Sequence, residues 1–294
     1  MIKFNELSLN DKIWIDEILN ESGFISSDSA FGTMYVWNGT YKLKVARYEN
    51  FLLRFYDGTE PGYGFPLGQG NLQNAIEILI EHAKSNKIDF RLIGISESAT
   101  NTLEKIMPKR FLFEHVRDKD DYIYRMSDLI NLSGKKYHSK RNHISKFTRN
   151  NTWKYEDINE TNIHEIKKLA EEWYMENELN ENRDLQQERA AILLAIENFY
   201  ALNFKGGIIK VNGKPVAFTV GEEINKDVFV IHFEKALKNY AEAYAVINNE
   251  FAKRALRGYD FINREDDLGL EGLRRAKLSY YPIILLKKYT ATLR

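Results

Sequence analysis

The sequence contains no cysteine and only five prolines among its 294 residues. Without cysteine there is no disulfide, no thiolate metal site and no cysteine nucleophile, and the composition fits a reducing compartment. The longest apolar runs, around 190–196 and 280–286, are far shorter than the roughly 20 residues that span a bilayer. We therefore expect a soluble, cytoplasmic protein without an integral membrane segment.

Neither sign of charge is in excess, because 42 lysines and arginines balance 42 aspartates and glutamates. No global field selects nucleic acid or a membrane surface, so binding to either must come from local patches. The length suits one large domain or two ordinary ones.

The chain repeats one order of elements. Residues 33–37, 41–48 and 51–56 alternate apolar and polar side chains and predict antiparallel strands, followed by helix, strand, helix and strand. The second half has the same order, with an Asn212-Gly213 turn that predicts a hairpin and a last strand at 282–293. We expect an α+β (mixed α/β) fold in two similar domains, 1–130 and 131–294.

A basic segment at 132–151 opens the second half. It contains six lysines and arginines and no acidic residue, so it is either a phosphate-binding helix face or the solvated face of a connecting helix. His138 and His143 are five residues apart and do not share a helix face, so we predict no metal site. The candidate phosphate-binding or tRNA-binding residues are Lys136, Lys140, Arg141 and Lys146.

The stretch 260–282 reads DFINREDDLGLEGLRRAKLSYYP. It predicts a strand that ends in acids, turns on glycines and enters a basic helix, either as a functional site or as a solvated connection. Arg274 and Lys277 are three residues apart on one helix face and can hold negative charge. Asp266 is a further catalytic candidate, and Asn263 and Tyr280 are candidate substrate-binding residues.

The strand at 228–236 places His232 and Glu234 on one face. Glu234, at the strand end, is a candidate general base, or the partner of a salt bridge to a neighbour such as Lys235 or Lys277. His232 is a candidate substrate-binding residue, or a hydrogen-bonded core histidine.

Two segments bear on coenzyme A binding. The turn at 237–246 has no glycine with which to hold a pyrophosphate, although Lys238 and Tyr240 can reach a phosphate or a sugar. The glycine-rich segment 61–70 precedes a helix in the first half and is either a phosphate loop or a polar surface turn.

The segments NREDDLGLEGLRRAKLSYYP and 134–147 together resemble the C-terminal domain family of phosphatidylglycerol lysyltransferase (lysyl-phosphatidylglycerol synthase). The basic helix is also similar to the equivalent helix of the Fem-type peptidyltransferases. The resemblance implies two tandem acetyltransferase-like (GNAT) domains and transfer of an aminoacyl ester from a charged tRNA. It implies catalytic roles for Asp266, Arg274 and Lys277, with Asp266 or Glu234 as the base or as the ligand of the amino acid's ammonium group.

These features favour a transferase that moves an aminoacyl group from tRNA to a hydroxyl or an amine. The acceptor is a small molecule, a peptide or a lipid headgroup. No cofactor is certain, and acyl-CoA is the alternative donor. The competing hypotheses are an acyl-CoA-dependent N-acetyltransferase acting on a small amine, and a non-catalytic binding protein.

Overall fold

The computed structural model describes residues 2–20, 22–177 and 183–294. Its strands and helices follow the chain in this order: β1 (Asn5–Glu6), α1 (Lys12–Asn20), α2 (Phe31–Val36), α3 (Asn38–Tyr41), β2 (Leu43–Tyr48), β3 (Phe51–Tyr56), β4 (Gly62–Tyr63), β5 (Leu67–Gly68), α4 (Leu72–Ser85), β6 (Arg91–Ser96), α5 (Glu97–Ile106), β7 (Phe111–His115), β8 (Asp121–Arg125), α6 (Met126–Asn131), α7 (His138–Asn150), β9 (Trp153–Asp157), α8 (Ile163–Glu176), α9 (Arg183–Glu197), β10 (Lys205–Val211), β11 (Lys214–Asn225), β12 (Val228–Ala236), α10 (Ala243–Ala255), β13 (Phe261–Asn263), α11 (Glu271–Leu278), β14 (Ile284–Leu286) and β15 (Lys288–Leu293).

The first compact unit contains Met1–Tyr122, Glu265–Lys277 and Ile284–Arg294. Its sheet has the strand order β1-β2-β3-β4-β6-β15-β7, with β5 beside β3. Buried aromatic and aliphatic side chains from the sheet pack with those of α4 and α5, among them Phe51, Leu79 and Leu103. The apolar spacing of α4 and α5 therefore produces the core of this unit.

The last strand of the chain belongs to the first unit. β15 lies between β6 and β7 and pairs antiparallel with both, with Lys288 opposite Ser96 and Tyr289 opposite His115. The units are consequently discontinuous in sequence, whereas the expected ranges 1–130 and 131–294 are continuous. Alternation predicts that a segment is a strand, but it does not specify which strands it joins.

Two expectations for the first half are wrong. Residues 33–37 lie mostly in α2 rather than in a strand, because Phe31 and Met34, three residues apart, are buried together on one helical face. The glycine-rich segment 61–70 is not a polar surface turn, since residues 62–67 are buried. A side chain at Gly64 would lie 2.7 Å from Nε of Arg54, so this glycine permits close packing.

The second compact unit contains Ile123–Arg264 and Leu278–Ile283. Its sheet runs β8-β13-β12-β11-β10-β9, antiparallel except for the parallel pair β12–β13. The predicted Asn212-Gly213 turn is confirmed, and both residues have positive φ. α10 covers one face through Val246 and Ile247, and Phe147 of α7 joins the same buried cluster. The mixed α/β fold class is confirmed.

Candidate functional site

β12 continues beyond the end of its parallel neighbour β13 in the second unit. They pair in parallel only between 228–230 on β12 and 261–263 on β13, while β12 continues beside β11 to Ala236. Open α/β sheets bind ligands in the crevice outside the carboxyl ends of their strands. Glu234, on β12, and Arg264, directly after β13, both lie beyond the last paired residues and mark the candidate site.

Glu234 and Arg264 form a buried ion pair. Nη2 of Arg264 lies 2.7 Å from Oε1 of Glu234, and the side chains are 12% and 9% exposed, respectively. Asn248 of α10 donates from Nδ2 to Oε2 of Glu234 at 3.3 Å. Both carboxylate oxygens therefore have donors, as a buried charge requires.

Glu234 forms a salt bridge, as the alternative interpretation expected, but its partner is Arg264 rather than Lys235 or Lys277. Lys235 pairs instead with Glu188, Nζ to Oε1 at 2.7 Å, and its ammonium lies 4.0 Å from the ring centroid of Trp173. Successive side chains of a strand point to opposite faces, so Lys235 cannot reach the face that Glu234 occupies.

Two buried oxygen atoms next to Glu234 have no hydrogen-bond partner among the described residues. They are Oγ1 of Thr219 and Oδ1 of Asn248. Thr219 is the cross-strand partner of Glu234 on β11, so both side chains lie on the same face of the sheet. Buried polar atoms normally have partners. Two oxygen acceptors beside a carboxylate suit a ligand that donates hydrogen bonds, such as an ammonium group.

Tyr280 provides an aromatic wall of the site. The Nζ atom of Lys140 lies 3.9 Å from its ring centroid, and Cζ of Arg264 lies 5.1 Å from the same centroid. The Tyr124 ring meets it edge-on at 6.4 Å. Burial raises the pKa of the Tyr280 phenol, Arg264 opposes that rise and Glu234 adds to it. Tyr280 therefore stays protonated and interacts with both cations.

Lys140 is the predicted phosphate-binding residue that reaches this site. Its side chain is half-buried, and among the described residues its ammonium has no ion-pair partner. Burial and the positive charge of Arg264 lower its pKa to about 8, and Glu234 only partly compensates. Lys140 therefore exchanges its proton close to neutral pH.

The other three predicted phosphate-binding residues have protein partners. Lys136 lies 3.7 Å from Oδ2 of Asp128, Arg141 donates to the carbonyl oxygens of Leu132 and Gly134, and Lys146 pairs with Glu242. The α7 prediction is confirmed as a helix with an exposed basic face.

The predicted substrate-binding residues are dispersed. His232 is buried, and its Nε2 lies 2.9 Å from Oε1 of Glu222. His232 is therefore a hydrogen-bonded core histidine, as the alternative interpretation expected. Lys238 donates through Nζ and its backbone N–H to Glu176. Asn263 is fully buried at the end of β13, and Tyr240 packs edge-on against Phe147 at 6.4 Å. Tyr280 contacts the Glu234–Arg264 site, since Cζ of Arg264 lies 5.1 Å from its ring centroid.

The remaining predicted catalytic residues, Asp266, Arg274 and Lys277, lie in the first unit, whereas Glu234 lies in the second. Lys277 donates to the backbone carbonyl of Asp266, whose carboxylate lies 3.5 Å from Nζ of Lys119. Burial raises the pKa of Asp266, while Lys119 opposes that rise. Arg274 and Lys277, which were predicted to hold negative charge together from one helix face, therefore bind different partners.

Arg274 binds Asp267, a residue that the sequence analysis did not select. Its Nε and Nη2 atoms lie 2.8 and 2.9 Å from the two carboxylate oxygens, and Nη2 also contacts Asp118 at 2.6 Å. Asp267 is fully buried and also accepts from Tyr122. Burial alone would raise the pKa of Asp267, but these donors hold it well below 3.8. Asp267 therefore anchors the acidic segment through its hydrogen bonds from Arg274 and Tyr122.

Sequence reasoning also missed Arg264 and Asn248. Arg264 lies inside the segment NREDD but was not separated from its acidic neighbours. Asn248 and Asn249 are buried in the otherwise apolar middle of α10, and such buried amides signal hydrogen bonds to a fixed partner. Asn249 uses its amide to cap the carbonyls of Leu129 and Ile130. Asn248 points to Glu234.

Comparison with protein families gives a match to "Phosphatidylglycerol lysyltransferase, C-terminal" over residues 20–292. The chain belongs to this family. The predicted family resemblance is confirmed. Comparison with curated proteins gave no significant match.

Solved structures agree with this family assignment. A conserved protein of unknown function from Bacteroides thetaiotaomicron is 40% identical, with 100% of each chain covered and a TM-score of 0.96. L-PGS from Bacillus licheniformis is 15% identical, with 95% of this chain and 90% of that chain covered and a TM-score of 0.65. At that identity, the likeness to L-PGS shows the fold alone.

A tandem GNAT protein from the clavulanic acid biosynthesis pathway is 9% identical, with 99% and 97% of the two chains covered and a TM-score of 0.51. The prediction of two tandem GNAT-like domains is confirmed. As a member of the phosphatidylglycerol lysyltransferase C-terminal family, the chain falls within an aminoacyl transferase family. Across 2–20, 22–177 and 183–294, no helix is long and apolar enough to cross a membrane. In the same residues no cluster of side chains suits a metal ion.

Proposed function

We propose that this protein transfers an aminoacyl group from aminoacyl-tRNA to a hydroxyl or an amine of an acceptor molecule. The observation that carries the proposal is the family match across residues 20–292. The acceptor is a small molecule, a peptide or a lipid headgroup. Phosphatidylglycerol, which the family's name contains, is the first acceptor to test.

The polar crevice at Glu234 supports the proposal because its chemistry suits an amino acid ester. The carboxylate of Glu234, Oδ1 of Asn248 and Oγ1 of Thr219 can accept hydrogen bonds from an ammonium group. Glu234 then holds the aminoacyl group rather than acting as the base, because both of its oxygens already accept hydrogen bonds. Arg264 and Tyr280 complete the wall against which the ester lies.

Asp266, Arg274 and Lys277 enter the proposal through the family resemblance. In the first unit, Arg274 secures Asp267, and Lys277 holds the backbone of Asp266. We assign Arg274 and Lys277 to shaping the acidic segment. Asp266 contributes a carboxylate that is 19% exposed, and we assign it to contact with substrate.

The start of α10 disfavours acyl-CoA as the donor in the second unit. A helix N-terminus binds a pyrophosphate through free backbone N–H groups and its positive dipole. Here Glu242 occupies the position before Ala243, with its carboxylate paired to Lys146. Hydrogen bonds from Lys146 and from the Glu242 backbone N–H lower the pKa of the carboxyl group. A negative charge already stands where the diphosphate would bind.

The α7 surface supplies cations for tRNA. Lys135, in the turn just before α7, and Arg149, on α7, are exposed, and among the described residues neither forms an ion pair. Cations of this kind gain most from phosphate contacts, because they give up no protein partner on binding. The paired residues Lys136, Arg141 and Lys146 contribute to the field of this helix.

Binding of charged tRNA over a salt series tests this proposal, with acetyl-CoA as competitor. We expect the affinity to fall steeply as the salt concentration rises. The slope of log affinity against log salt concentration should become smaller in magnitude by about 0.7–0.9 for each of Lys135→Gln and Arg149→Gln. Lys168→Gln is the matched control, since Lys168 is exposed on α8 of the same unit. Weak, salt-independent tRNA binding together with saturable acetyl-CoA binding would contradict the proposal.

A further inference from the structure

Lys140 differs from the three other predicted phosphate-binding cations, Lys136, Arg141 and Lys146. Lys136, Arg141 and Lys146 each contact an acidic side chain or a backbone carbonyl, whereas Lys140 has no such partner among the residues that the structure describes. Its Nζ atom lies against the Tyr280 ring, at 3.9 Å from the centroid. A phosphate-binding lysine is expected to extend into solvent, but this side chain is half-buried.

The charged groups around Lys140 explain why it can lose its proton. Arg264 lies against the same Tyr280 ring, and its positive charge disfavours the ammonium form. Glu234 favours the ammonium form, but its carboxylate is already paired with Arg264. The titratable and charged groups that face this region are Lys136 and Tyr137 just before α7, Tyr124 on β8, Glu234 on β12, Arg264 after β13, and Tyr280 and Tyr281.

We propose that Lys140 is a catalytic residue that accepts the proton of the attacking acceptor group in aminoacyl transfer. The inference rests on the proposed function and assigns that reaction's proton acceptor. Its geometric basis is a lysine without an ion-pair partner beside the crevice that holds Glu234, with Tyr280 fixing its position. A pKa of about 8 suits a base that works near neutral pH.

The step balances as follows. The acceptor's N–H or O–H loses its proton to the neutral Nζ atom of Lys140 while its nitrogen or oxygen bonds to the ester carbonyl carbon. When the tetrahedral intermediate collapses, the bond to the tRNA ribose oxygen breaks. That oxygen takes the proton from the Lys140 ammonium and leaves as a hydroxyl group. The products are the aminoacylated acceptor and uncharged tRNA, and Lys140 is neutral again.

Single-turnover loss of label from [14C]lysyl-tRNA tests the inference, with phosphatidylglycerol vesicles and, separately, hydroxylamine as acceptors. The wild-type rate, corrected for the uncatalysed reaction, tests the proposed function. The ratio of variant to wild type tests Lys140. We expect Lys140→Arg and Lys140→Gln to lower the rate by about 10²–10⁴-fold, since neither side chain can act as a base near pH 7. Lys168→Gln is the control and should leave the rate unchanged.

The pH profile separates a base from a simple positive charge. The wild-type rate should rise with pH and level off above about 8, and this rise should be absent from Lys140→Arg. The dissociation constant for lysyl-tRNA should change less than threefold in Lys140→Arg. A Lys140→Arg variant with the wild-type rate, or one that retains the rise with pH, would overturn the inference while leaving the proposed function intact. An inactive wild type would overturn both.

A direct titration supplies a readout that does not depend on turnover. The folded protein would be labelled with an amine-reactive reagent across a pH series, and the labelling of Lys140 would be measured by mass spectrometry. The labelling should reach half its maximum near pH 8 rather than near 10.5. Half-labelling near 10.5 would overturn the inference even if Lys140→Gln were inactive, because the loss would then be structural.

Discussion

Replacing Arg264 with methionine removes one partner of a buried ion pair. Within the part of the chain that the structure describes, the Glu234 carboxylate would keep only the hydrogen bond from Asn248, at 3.3 Å, and its side chain is 9% exposed. Leaving a buried charge without its counter-charge costs about 3–5 kcal/mol of unfolding free energy. The loss of the guanidinium from the rings of Tyr124 and Tyr280 adds about 0.5–1 kcal/mol. We expect Arg264→Met to be among the most destabilising single changes in the second unit.

Urea unfolding measures this loss, and a double-mutant cycle identifies its source. Glu234→Gln combined with Arg264→Met removes both charges, so the double variant should be more stable than the sum of the single losses predicts, by about 1–3 kcal/mol. Arg254→Met is the matched control because the Arg254–Glu250 pair has an exposed arginine, 56%, and should lose less than about 1 kcal/mol. An Arg264→Met variant as stable as Arg254→Met, or additive losses in the cycle, would refute the reasoning.

Two further predictions concern stability. Hydrogen-bond donors hold the pKa of Asp267 below 3.8 in the folded protein, so its stabilising contribution is complete above about pH 4 and is lost as the pH falls toward the lower folded pKa. The difference in unfolding free energy between wild type and Asp267→Asn, measured with urea, should therefore be about 3 kcal/mol at pH 7 and smaller at pH 3. A difference that grows in acid would contradict this prediction. Gly221→Ala places its Cβ 1.9 Å from the Val230 carbonyl oxygen and should lower the unfolding free energy by more than about 2 kcal/mol. Gly258→Ala is the control, because its Cβ has nothing within 4 Å, and it should lower the unfolding free energy by less than about 1 kcal/mol. Equal melting temperatures of the two variants would show that β11 and β12 accommodate the methyl group.

Local patterns predicted many elements of the second unit. The alternation at 228–236 and the Asn212-Gly213 turn each depend on neighbours in sequence, and both agree with β10–β12. The basic helix α7 likewise follows from its own composition and from Phe147, which is buried. Features of this kind are encoded within about ten residues.

The arrangement of the site is not local. The partner of Glu234 is Arg264, thirty residues later, and the two meet because β13 pairs with the first part of β12. Strand order determines that contact, and alternation within either strand carries no information about it. The same limit applies to β15, whose sequence predicts a strand but not its place between β6 and β7.

The α2 segment shows propensity overridden by packing. Its valine, threonine and aromatic residues favour a strand, but Phe31 and Met34 fill the core from one face of a helix. For Lys136, Arg141 and Lys146, composition indicated a basic surface correctly, but it did not show which cations carry a partner. Among the described residues Lys140 has no ion-pair partner and is also half-buried against Tyr280, and that combination is visible only in the tertiary structure.

The most direct test of the central claim is a comparison of two donors. The wild-type protein would be incubated with [14C]lysyl-tRNA or with [14C]acetyl-CoA in the presence of phosphatidylglycerol vesicles and a mixture of small amines, and label in each acceptor would be counted. We predict transfer of lysine from tRNA to at least one acceptor and no transfer from acetyl-CoA, because Glu242 occupies the diphosphate position at α10. Acetyl transfer without lysine transfer would contradict the claim.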